Sequence, residues 1–192
     1  MCRKIHKYHI LSGCFLIVTG IVLLSSYLVE DLYHVMKYGT DNPQAHYILN
    51  WQRPEILIKP VLFSLCGILY LRKEKSLYIL CTSVLFCNYL HQCLSIGEIS
   101  YLCRIVFPET AACFGLWFLG IFESIDYSSW KFFICCELGS LICSMIPVAG
   151  ESYLINIVSN TTFLLFRIPF LFALMSIGEE IYERGKLSDL RS

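Results

Sequence analysis

Residues Ile10 to Val29 read ILSGCFLIVTGIVLLSSYLV. No charge interrupts them, and at about 1.5 Å per residue these roughly 20 residues reach across a hydrocarbon core of about 30 Å. Arg3, Lys4 and Lys7 stand in front, the layout of a secretory leader, yet no small-x-small cleavage site follows. The segment is read as a retained first transmembrane helix.

Working outward, five more apolar segments follow, giving spans at about 10–29, 54–71, 77–96, 99–122, 130–148 and 153–177. Helices are expected, because an open strand would leave backbone groups unpaired in lipid. The second segment is short and carries Pro60, so its start is placed near Pro54. Brief connections after the second and third segments make those helices antiparallel neighbours. The composition agrees: 56% of the 192 residues are hydrophobic and only 16% are charged, more apolar surface than a soluble chain of this length can bury. Lys plus Arg and Asp plus Glu each number 15, so no basic excess points to nucleic acid.

Charge position sets the orientation. Arg3, Lys4, Lys7, Arg72, Lys73, Lys75, Lys131, Arg184, Lys186 and Arg191 all fall on one side of a six-span arrangement, against Lys37 and Arg53 on the other. Cytoplasmic loops hold the positive excess. The fold class is therefore all-α: a polytopic integral membrane protein, a six-transmembrane-helix bundle with N and C termini cytoplasmic, in a bacterial cytoplasmic membrane or a eukaryotic one. The chain forms a single transmembrane domain, 1–192, with an exported loop at 30–53 and a short cytoplasmic tail at 178–192. Tyr33, Tyr38, Tyr47 and Trp51 in the loop suit the interface as aromatic anchors. Glu179, Glu180 and Glu183 read as a solvated turn continuing the last helix, with Gly185 as its stop.

Eleven cysteines would suggest a disulfide framework in a small secreted protein, but Cys14 through Cys143 fall within apolar runs. They are read as small packing residues. His34, His46, Asp31 and Asp41 match no metal-ligand spacing, and no metal or cofactor is expected.

Polar residues within the spans are the informative ones, since a charge at a helix centre costs about 2.5–3.5 kcal/mol on insertion scales. Lys59, Arg104, Glu109, Glu137 and Arg167 are too many to face lipid, so they are expected to turn inward, pairing or lining a wet cavity. Asn88, His91, Gln92, Ser95 and Glu98 recur at three-and-four spacing along one face of the third helix. Asn156, Asn160 and Arg167 form a similar stripe on the sixth. Pro108 is expected to kink the fourth helix beside Glu109. Ala111 with Gly115, and Cys136 with Ser140 and Ser144, permit close helix approach.

Three functions stay open. In the first, a polar axis in helices three to six binds or conducts a small polar solute, lipid headgroup or ion; Lys59, Asn88, His91, Arg104, Glu109, Glu137, Asn160 and Arg167 are its candidate ligands. Arg104, with His91 and Lys59, would hold an anionic group, and Glu109, Glu137 and Arg167 would form a titratable or gating relay. In the second, the chain is an interaction or structural subunit packed against another membrane protein, its polar residues serving helix association. In the third it is an intramembrane enzyme on a lipid-linked substrate, with His91 as base and Glu98 or Glu109 as acid. Neither Gly-x-Ser-x-Gly nor His-Glu-x-x-His occurs, so the balance leans away from an enzyme. The expected partners are the lipid bilayer, a small polar or anionic ligand and a membrane-protein partner, with no nucleic acid.

Overall fold

The computed structural model describes residues 2–38, 54–95, 106–122, 125–144 and 153–190. Six α-helices and no strand occur among them: α1 (Cys2–Tyr38), α2 (Pro54–Arg72), α3 (Lys75–Ser95), α4 (Phe107–Ile121), α5 (Tyr127–Ser144) and α6 (Tyr153–Asp189). Pro54 opens α2, where a missing N–H costs nothing. The helix ends in a tight reversal: the Lys73 N–H donates to the Tyr70 carbonyl and the Glu74 N–H to that of Leu69, both at 3.1 Å. This double bond pattern requires a left-handed residue, and Lys73 supplies it at φ 59°. The two-residue connection turns α3 back along α2, as its brevity predicts. Asp126 precedes α5, and its carbonyl accepts the Trp130 N–H at 3.0 Å.

Each helix packs on its neighbours in sequence, and α6 returns to pack on α1, so the bundle closes into a ring. α1 packs chiefly on α2 and α6 through Leu16 and Leu23, both buried. Ser12, Thr19 and Ser26 donate to carbonyls four residues back within the helix at 2.7 to 2.9 Å. The α1–α2 crossing is close: a Cβ on Gly67 would lie 2.5 Å from the Gly13 carbonyl oxygen and 2.8 Å from the Ile17 nitrogen. On the far side, Gly115 of α4 admits the Phe133 ring of α5, as the small-residue pattern there anticipates. Trp130 of α5, fully buried, donates its indole N–H to the Leu174 carbonyl of α6 at 2.8 Å. Phe63, Tyr89 and Phe170 meet edge to face at the centre.

Nine cysteines lie among residues whose side chains are described, all as free thiols. Cys66, Cys81 and Cys113 are buried, the Cys66 thiol donating to the Cys81 sulfur at 3.2 Å across α2 and α3.

Two segments, Arg3–Val29 and Lys75–Leu94, are long and apolar enough to cross a membrane. Phe107–Ile121 is apolar, but its 15 residues reach only about 22 Å. The exterior is nonetheless apolar on every helix, with Ile21, Val61, Leu80, Phe107, Phe132 and Leu165 all more than half exposed. The interior holds Arg167 and Glu137 at 0% exposure.

Candidate functional site

Charges from α2, α4, α5 and α6 converge on the middle of the ring. Pro108 falls in the first turn of α4 as described, and Glu109 beside it is buried in the interior. There Glu109 accepts a hydrogen bond from the Arg167 guanidinium of α6 and forms an ion pair with it. Arg167 also donates to the Ser140 hydroxyl of α5. One arginine thus ties three helices together while fully buried, the situation in which an ion pair must be well bonded to offset its desolvation.

Glu137 stands one turn before Ser140 on α5. Its carboxyl group is fully buried within range of the charges of Glu109 and Arg167, yet neither oxygen has a hydrogen-bond partner among the described residues. Such an orphan is unusual, because buried carboxylates are nearly always paired or bonded. The sequence expects Glu109, Glu137 and Arg167 to act together, and the structure brings all three to one place.

Lys59 lies on the opposite wall. It is buried, donates to the Gln92 side chain of α3 and sits 4.4 Å above the Tyr89 ring, a cation–π contact that partly replaces hydration. The charge of Glu109 reaches it. Asn88 is half-buried, with its side-chain oxygen buried and without a hydrogen bond among the described residues. His91 of the same stripe is exposed, whereas Glu109 is buried. His91 and Glu109, one of the two acids considered with it, therefore occupy different environments. Arg104 and Glu98 lie outside the described residues, and so does the side chain of Asn160, whose backbone belongs to α6.

A second polar cluster, which the sequence reading takes for a solvated turn, is buried where α1, α2 and α6 meet. Glu180 is 1% exposed and Glu183 8%. Tyr70 of α2 donates to Glu180 at 2.7 Å, Arg184 donates to its other oxygen, and His9 of α1 lies 3.4 Å from that same oxygen. His9 stacks on Tyr70 at 4.7 Å, and Lys4 reaches Glu183 at 4.0 Å. The signal was present in the charge count, which already puts the start of α1, the end of α2 and the tail on one side. The sequence reading rightly continues α6 through Glu183; what it lacks is the start of α1 at Cys2 and the run of α6 past Gly185 to Asp189, which set these residues against each other.

Burial by itself would raise the Glu180 carboxyl, but the hydrogen bond from Tyr70, the His9 ring 3.4 Å away and the charge of Arg184 outweigh it and hold it below the usual carboxylate range. A folded pKa below the unfolded one stabilises the protein above the ordinary carboxylate value, and this stabilisation is lost as pH falls through the lowered value. Glu180→Gln is expected to cost about 1–3 kcal/mol at neutral pH and to flatten the acid side of the stability curve. Unfolding in detergent at stepped pH measures both; an unchanged acid limb would contradict the assignment.

No family model, curated protein or solved structure matches the chain, so these residues are the ground on which its function is argued.

Proposed function

We propose that the chain is a six-span integral membrane protein with both termini cytoplasmic, and that it binds or conducts a small polar solute, lipid headgroup or ion along the polar axis of α3 to α6. The observation that carries this reading is the inversion of the usual surface: apolar side chains cover the outside of the helices while Lys59, Glu109, Glu137 and Arg167 are buried inside. Such a distribution suits lipid as the surrounding medium, and ionisable residues held inside a bundle at that depth commonly mark a pathway for solute or ion. Cations on both walls and carboxylates between them would let one axis engage an anion and a proton or cation together.

The test uses proteoliposomes of phosphatidylcholine and phosphatidylglycerol. Uptake of labelled inorganic phosphate, acetate and sodium, and the movement of protons, is followed for the wild type, Arg104→Ala and Glu109→Gln. A flux above that of empty vesicles which falls about tenfold or more in both variants, or about 1.4 kcal/mol of lost stabilisation, supports the reading. Fluxes equal to empty vesicles, or unaffected by both changes, remove it.

One observation favours a second reading, an interaction or structural subunit. Arg167 is already bonded to Glu109 and Ser140, which suits a buried pair that fixes helix register. Detergent-stable co-purification with a single membrane partner, combined with no flux, would select it.

A further inference from the structure

We propose that Glu137 is a proton-binding site at the centre of the bundle, neutral while Arg167 pairs with Glu109 and ionised when Arg167 turns to it. The inference deepens the polar-axis reading and rests on it. Both carboxyl oxygens are buried without a hydrogen-bond partner among the described residues. Ser140, three residues further along the same helix face, is engaged by Arg167, whose guanidinium also holds Glu109. The arginine therefore bonds Glu109 and Ser140 but neither oxygen of Glu137.

An ionised carboxylate in that position would bear the full penalty of lost hydration. A guanidinium has five donors in a planar fork and would spend one on a neighbouring anion. A neutral carboxyl carries no charge to desolvate and leaves only a polar O–H and carbonyl, a smaller penalty. The absence of a bond from Arg167 to either oxygen fits a neutral Glu137.

The surrounding groups act in the same sense. Glu109 and Cys113 face Glu137 from α4, Arg167 from α6 and Tyr89 from α3, with Cys136 beside it on α5. Lys59 of α2 reaches Glu109 and Cys113. Glu109 disfavours a second negative charge, and Arg167 is the cation that could favour one. A metal ion is a poor occupant: the adjacent guanidinium repels it, a hard cation needs several oxygens, and no metal-binding group of three ligands occurs among the described residues. A proton needs one oxygen.

Binding is the addition of a proton to a carboxylate oxygen. It frees Arg167 from a pull between two carboxylates and leaves it on Glu109 and Ser140. Release draws the guanidinium toward Glu137. The two arrangements differ by a rotation of one side chain shared by α4, α5 and α6, which is where proton binding would be coupled to a solute on the axis.

Infrared difference spectroscopy of the full chain in phosphatidylcholine and phosphatidylglycerol nanodiscs tests this, through the carbonyl stretch of a protonated carboxylic acid. The wild type is expected to keep such a band at neutral pH and lose it under alkaline conditions, and Glu137→Gln to lack it. In Glu109→Gln the amide oxygen still accepts from Arg167, but the carboxylate charge that opposes a second one is gone, so the proton affinity of Glu137 falls by about tenfold or more and the band titrates at lower pH. Glu137→Gln imitates the neutral acid in size; should it fail to fold, the shift in Glu109→Gln decides the matter, since that protein retains Glu137. A wild type with no protonated-acid band at neutral pH, or a band whose titration ignores Glu109→Gln, overturns the proposal. No flux is read, so failure here and failure of the transport assay are separate results.

Discussion

Arg167→Ala is expected to destabilise the bundle by about 3–5 kcal/mol, the range found when one partner of a buried ion pair is removed. The loss is large because the arginine carries several tasks at once. It neutralises Glu109, satisfies Ser140 and provides the counter-charge within range of Glu137. Without it two carboxyl groups remain buried with no cation from α6, and the contacts joining α4, α5 and α6 lose their common member. Glu109→Gln should cost less, since an amide oxygen still accepts from Arg167. Joint replacement by Glu109→Leu and Arg167→Met should cost less than the sum of the single changes, because neither charge is then stranded. Unfolding by a denaturing detergent, followed by circular dichroism, reads all of these. A loss below about 1 kcal/mol for Arg167→Ala, in the range of an exposed ion pair, would show that the arginine is solvated.

Gly67→Leu is expected to abolish the folded bundle. At the α1–α2 crossing two of the three atoms nearest a new Cβ are backbone, the Gly13 oxygen and the Ile17 nitrogen, which cannot rotate away as the third, Ile17 Cγ1, could. Separating the helices would open the packing of Leu16, Leu23, Phe63 and Cys66. Even Gly67→Ala should cost about 1–3 kcal/mol, as overpacking does elsewhere. Gly20, whose Cβ would stand 2.8 Å from the Ser64 nitrogen, marks the same crossing further along α1. Gly139 is the control, for nothing lies within 4 Å of a Cβ there. Gly139→Ala should be neutral or raise stability by up to about 1 kcal/mol through helix propensity. Expression level and melting temperature in detergent distinguish the outcomes; a well-folded Gly67→Leu protein would refute the close crossing.

The helices were legible because their cause is local. Apolar runs, Pro54 and the short Lys73-Glu74 connection place α2 and α3 within a few residues, whereas α6 runs through Gly185, read as its stop, to Asp189, because a single glycine weakens a helix without ending it. The inward turn of Lys59, Glu109, Glu137 and Arg167 was also legible, since a charge amid apolar residues has few places to go. Which charge meets which was not. His91 shares the three-and-four spacing of Asn88 and Gln92, yet it is exposed while they are half-buried. A face is defined by its neighbours as much as by its period.

The sequence by itself determined an all-helical chain, the apolar segments from which membrane crossing is argued, and the set of ionisable residues that cannot face an apolar medium. Only the tertiary structure decided that α6 closes the ring on α1, that Arg167 bonds Glu109 and Ser140 while passing Glu137, and that Glu180 is a buried junction with His9 and Tyr70 rather than a solvated turn. The physical reason is distance along the chain. Helix formation is settled by residues three and four apart, whereas the pairing of buried charges is settled by which helices touch, at what rotation, across separations such as the 58 residues between Glu109 and Arg167.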